Sequence, residues 1–183
     1  MNLINMVIKK LSPILFCFFL ITSCVNNLDF SQIEEYSISP EYTVSLAYFT
    51  ILPFQFFNQS GVQVTERSDI TDFRIFENSY AKDNLLKLDF YVEVKNEFDR
   101  DLTIQISFLD DNMNVTHRFD DLKVDANNLN YKFNQTIAVS SNPNIKSTTK
   151  VKVVLIDSSA RPLDASAKTE FEFKSSVKIY MNV

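Results

Sequence analysis

The side chains able to do chemistry are few, and most lack the company their chemistry needs. His117 is the single histidine. With no second histidine and no nearby cysteine, the usual transition-metal ligand sets cannot be assembled around it. Its parity with Val115 and Phe119 predicts a partly buried strand residue. Asp110, Asn112, Asn114 and Asp121 are more suggestive: oxygen ligands at positions one, three, five and twelve echo the Ca²⁺ loop of an EF-hand. Position six, where that loop needs glycine, is Val115, and the flanks read as strands. The same residues are what a hairpin turn uses when glycine is scarce, so a turn is the first reading and a metal site only a weak candidate. The carboxylate pairs Glu34/Glu35, Asp110/Asp111 and Asp120/Asp121 lie in polar stretches, where nothing would raise a pKa for glycosidase work. One histidine without a nucleophile elbow makes no triad. No enzyme, no catalytic residue and no cofactor are expected.

The rest of the composition narrows the field further. The 183 residues carry a net charge of −5, with 17 Phe, no Trp and one glycine, Gly61. A Gly-rich phosphate loop is excluded, and turns that need positive φ must fall largely to Asn and Asp. An acidic chain argues against nucleic acid as a partner. Residues 1–10 hold Lys9 and Lys10 and no acid, and an apolar run follows from Leu11 to Ile21. Eleven residues are too few for a membrane-spanning helix, which needs about 20; charge followed by a short apolar core is the export-signal pattern.

That run ends in Ile21-Thr22-Ser23-Cys24. An aliphatic residue, two small ones and a cysteine resemble the lipobox of bacterial lipoproteins. The resemblance implies diacylglycerol on the Cys24 thiol, cleavage after Ser23 and acylation of the new amine, with two or more chains giving stable attachment. Cleavage would remove Cys17 and both lysines of the segment, taking the net charge from −5 to −7 and leaving no thiol for a disulfide. The expected organisation is a signal peptide over 1–23, a lipid-anchored tether over 24–41 and a β domain over 42–183. Val25 is not the Asp that retains lipoproteins at the inner membrane in enterobacteria, which favours the outer membrane. The composition is similar to that of Bacteroidota proteins, in which export to the cell surface goes with an acidic cluster after the cysteine. Val25-Asn26-Asn27-Leu28 lacks one, so the periplasmic face is favoured over the cell surface.

The domain reads as strands. Tyr42 to Ile51 is rich in β-branched and aromatic residues and stops at Pro53. Leu86, Leu88, Phe90, Val92 and Val94 alternate with polar residues over 86–95, and Leu102, Ile104, Ile106 and Phe108 do so after the turn at 96–100. Further strands are expected around 115–119, 129–139, 151–156 and 169–183. Ser175 interrupts the last of these, leaving one long strand or two meeting at a bend. It could be an integral strand or an exposed edge. Seven or eight short strands with turns between them predict an antiparallel β-sandwich.

Val92-Glu-Val-Lys-Asn96, followed by Ile104-Gln-Ile-Ser-Phe-Leu-Asp110 and an Asn-rich turn, resembles the central hairpin of immunoglobulin-like accessory domains. Met113 or Asn114 stands where those domains place glycine. A fold does not imply an activity. The expected function is a membrane-anchored, non-catalytic module of an outer-membrane envelope complex, with an envelope protein as partner. The alternative is a surface-displayed domain that binds glycan or Ca²⁺. Phe54, Phe56 and Phe57 lie outside clean strands and form the candidate contact patch.

Overall fold

The computed structural model describes residues 40–159 and 161–182. The export segment 1–23, with Ser23, and Cys24 lie outside the described residues, as does all but the end of the 24–41 lead-in. The described chain is an all-β, antiparallel sandwich of nine strands. They are β1 (Glu41–Ile51), β2 (Glu66–Asp72), β3 (Leu85–Asn96), β4 (Leu102–Leu109), β5 (Val115–Arg118), β6 (Leu122–Val124), β7 (Tyr131–Ala138), β8 (Lys150–Asp157) and β9 (Phe171–Met181). A short helix, α1 (Ser79–Asn84), precedes β3. One sheet has the order β1-β9-β3-β7; the other runs β2-β8-β4-β5, with β6 also on β4. The nine strands exceed the expected seven or eight; β2 and β6 lie outside the expected segments, and neither carries a long apolar alternation.

The core follows the alternation of β3, β4, β8 and β9. Leu88, Phe90, Val92 and Val94 face Ile104, Ile106 and Phe108 across the gap, all buried. Phe108 sits at the centre, with ring centroids 5.5 Å from Phe90, 5.2 Å from Phe119 and 5.9 Å from Phe73. Such edge-on and stacked ring pairs add to the burial itself.

Two expected positions are corrected, each at a break in register. Leu86 is exposed and Leu85 is buried, because the β3–β9 pairing slips between Leu85 and Lys87. Val115 is exposed and Thr116 buried, because β4–β5 slips between Phe108 and Leu109. A one-residue slip exchanges the two faces of a strand. Positive φ falls to Asn127 (54°) and, against expectation, to Met113 (66°) rather than a neighbouring Asn.

β9 is one strand, paired on one side with β1 and on the other with β3, so it is integral and not an edge. Ser175 is buried without breaking it. Its Oγ accepts from Ala47 N at 3.1 Å, at the point where β1 slips past β9.

Two buried polar groups tie the end of the sandwich together. Asn96, fully buried, donates through Nδ2 to Arg100 O (3.0 Å) and Asp125 O (2.8 Å) and accepts from Phe98 N (3.0 Å). Arg100, also buried, reaches Asp157 at the end of β8.

Candidate functional site

The Asp110 turn is built for its own backbone. Asp110 Oδ1 accepts from Asn112 N (2.9 Å) and Asn114 N (2.8 Å), and Oδ2 accepts from Asn114 Nδ2 (3.0 Å). The Asn114 side chain first, then these backbone amides, hold the carboxyl below its ordinary range. Asp121 is engaged elsewhere, accepting from Gln105 Nε2 at 3.0 Å and pairing with Arg118 at 3.7 Å. Gln105 precedes Asp110 by five residues, about 16 Å at the rise of a strand. The structure thus keeps Asp121 away from Asp110, Asn112 and Asn114. Among the described residues no three of His, Cys, Asp and Glu gather as a metal site would require.

His117 lies edge-on to Phe119, 4.7 Å between ring centroids, with Nδ1 3.1 Å from Asn142 Nδ2. If the amide donates, the imidazole is neutral with its proton on Nε2, which is sealed off without an acceptor. Burial pushes its pKa below 6.5. The unfolded chain therefore takes up the proton first. Stability is complete above about pH 6.5 and falls as pH drops from there through the lower folded value. Between pH 7.5 and 5, thermal melts of the native chain are expected to lose more than those of His117→Gln. Parallel curves for the two would contradict this.

The candidate patch divides. Phe56 is fully buried, its ring 6.2 Å from that of Phe98, which corrects its expected place in a contact surface. Phe54 is exposed and Phe57 half-buried. The cause is a 3₁₀ turn over Pro53–Phe56, which sends neighbouring side chains in different directions. The loop is then held by Asn58 Oδ1, which accepts from Ser60 N and Val62 N, and by Val64 N donating to Phe56 O at 2.7 Å. Gly61, at φ 72°, allows its tight reversal.

Phe54 and Phe57 roof the open side of the sandwich. Among the described residues β1 pairs only with β9 and β2 only with β8, so both sheets end here. Residues opposite one another across a ladder point to the same face. Arg67 and Asp69 of β2 oppose buried Leu155 and Val153, and therefore point inward. Tyr42 and Val44 of β1 oppose buried Ile179 and Val177, yet are 53% and 37% exposed. Between the two edges lies a cleft of about 480 Å³, floored by Val153 and Leu155 and walled by Phe49, Ile51, Phe54, Phe57 and Arg67. Composition pointed to Phe54 and Phe57; nothing in the sequence pointed to Arg67, because β2 has no apolar face to reveal it as a strand. On the outer face of the β1 sheet, Lys87 lies 4.0 Å over the Tyr180 ring and Lys174 5.7 Å from that of Tyr48, so those rings are partly covered against stacking with a sugar.

No protein-family model and no curated protein matches the sequence. Among solved structures, the chain is similar to a Parabacteroides distasonis protein described as secreted, at 16% identity and TM-score 0.48, covering 62% of this chain and 37% of that one. It is also similar to the structure of infectious bursal disease virus, Gx strain, at 11% identity and TM-score 0.44, over 79% of this chain and 32% of that one. Endospore appendages of Bacillus, described as disulfide-linked pili, align at 10% identity and TM-score 0.35 over 80% and 91%. The chain thus spans about a third of the length of the first two, and at these identities none of their properties is carried over to it.

Proposed function

We propose that the chain is a lipid-anchored, non-catalytic interaction module of a bacterial envelope complex, held at the outer membrane through Cys24 and facing the periplasm. The observation that carries this reading is the edge of β1. Exposed strand edges are ordinarily blunted by charge, proline or shortness. β2 has inward Arg67 and Asp69, β7 has Lys132, and β5 and β6 are four and three residues long. β1 runs for eleven residues with one charge, Glu41 at its start, and presents Tyr42, Val44 and Tyr48 to solvent. Such an edge suits the addition of a partner's strand. The Asn96-centred turn between β3 and β4 supports reading the sandwich as immunoglobulin-like, in keeping with a docking role.

Full-length protein purified at native level from detergent-solubilised membranes is expected to carry labelled palmitate and to retain an envelope protein. Cys24→Ser removes the label, and Val44→Lys, a charge on the inner face of β1, releases the partner. A chain that runs alone overturns the docking role. Palmitate that persists on Cys24→Ser overturns the anchor.

A further inference from the structure

The five arginines divide four to one. Arg74 pairs with Asp72 at 2.9 Å, Arg100 with Asp157 at 3.0 Å, Arg161 with Asp99 at 3.5 Å and Arg118 with Asp121 at 3.7 Å. Arg67 has no carboxylate partner among the described residues. It is also the arginine on the wall of the β1–β2 cleft. Its Nη2 donates to Phe57 O at 2.9 Å, while its Nε is sealed from solvent with no acceptor. A guanidinium carries five N–H donors, and a partly buried cation without a counter-charge is costly.

An inward charge on an edge strand also discourages sheet-to-sheet aggregation. That role needs only a charge, and Asp69 already supplies one. It does not call for a cation tied to the roof of a cleft with an apolar floor and aromatic walls.

We propose that this cleft binds an amphipathic monocarboxylate: an acyl chain or similar apolar body whose carboxylate is received by Arg67. The body lies among Phe49, Ile51, Phe54, Phe57, Val153 and Leu155, in a space of about 480 Å³, within the range of small-molecule sites. Arg67 balances one negative charge. Asp69, exposed beside the cleft, opposes a second, which disfavours a phosphate monoester. The site shares Phe49 and Ile51 with the end of β1, but it does not depend on a protein partner being found on that edge.

The test uses the full chain in lipid nanodiscs, a diazirine-bearing dodecanoate as probe, and peptide mapping after irradiation. Label is expected on peptides spanning 49–57 and 153–155, competed by plain dodecanoate. Arg67→Gln is expected to weaken competition about tenfold or more, the scale of a hydrogen-bonded charge. Asp69→Asn is expected to strengthen it. On the native chain the methyl ester of the probe leaves the cleft unlabelled, a comparison that does not rely on any variant folding. Equal labelling by acid and ester, unchanged competition in a folded Arg67→Gln, or label outside the cleft overturns the proposal. Since the readout is the position of the label, loss of the envelope partner in the purification experiment would leave this result standing, and the reverse also holds.

Discussion

Asp157→Ala is expected to destabilise the domain by about 3–5 kcal/mol, the usual loss when one member of a buried ion pair is removed. Arg100 and Asp157 have side chains only 3% and 2% exposed, with Nη1 and Oδ2 3.0 Å apart. The same Nη1 donates to Ser159 Oγ (3.1 Å) and Arg161 O (3.0 Å), and Nη2 donates to Pro162 O (3.1 Å). Asp157 Oδ1 in turn accepts from Ser159 N at 2.9 Å. The pair therefore fixes the segment after β8 against the turn between β3 and β4. Without Asp157 the guanidinium stays buried with no buried counter-charge, its remaining carboxylate partner being the exposed Asp99, whose Oδ1 lies 3.3 Å from Nε and Nη2. For a domain of this size the melting temperature is expected to fall by about 10–15 °C. The double variant Arg100→Met/Asp157→Leu is expected to recover part of the loss, since it removes the stranded charge as well. A single variant within 1 kcal/mol of the native chain in urea unfolding would show that the pair contributes little.

Phe108→Ala is expected to cost about 3–5 kcal/mol, as for other buried aromatic truncations. Phe108 is fully buried and touches rings from three other parts of the fold: Phe73 before α1, Phe90 on β3 and Phe119 after β5. A cavity at that junction has several rigid walls and cannot collapse easily. The comparison is Phe54→Ala, where a 56% exposed ring is removed and the change is expected to stay within about 0.5 kcal/mol. Urea midpoints at constant slope measure both. Equal losses would mean that Phe54 packs into the domain rather than standing at the cleft.

The sandwich could be anticipated from its sequence wherever one face of a strand is apolar and the register is unbroken. The alternation of Phe90, Val92 and Val94, and of Ile104, Ile106 and Phe108, states which side chains are inside. It failed at Leu86 and Val115, where slips in pairing exchange inside for outside; a bulge adds a residue without altering composition. It failed at β2 for a different reason. The inner face of that strand is Arg67, Asp69 and Thr71, so no apolar period exists to find. That feature also leaves this side of the sandwich open, so the strand and the cleft escaped notice together. Phe54 and Phe57 were recognisable as aromatics outside strands, whereas the burial of Phe56 depends on a turn whose direction composition does not encode.

The position of β9 has a kinetic consequence. β1 comes first among the described strands, yet its only described neighbour is β9, with Ala47 and Ser175 separated by 128 residues. Long-range pairings of this kind place a domain toward the slow, millisecond-to-second end of folding, because the loop must close before any contact rewards it. As the chain emerges, β3 and β7 can pair early, while β1 waits with Leu46 and Phe49 uncovered until residues 171–181 arrive. The stacking of Phe49 on Phe173, 4.9 Å between centroids, belongs to that late closure. Until then β1 is the segment most exposed to the wrong strand.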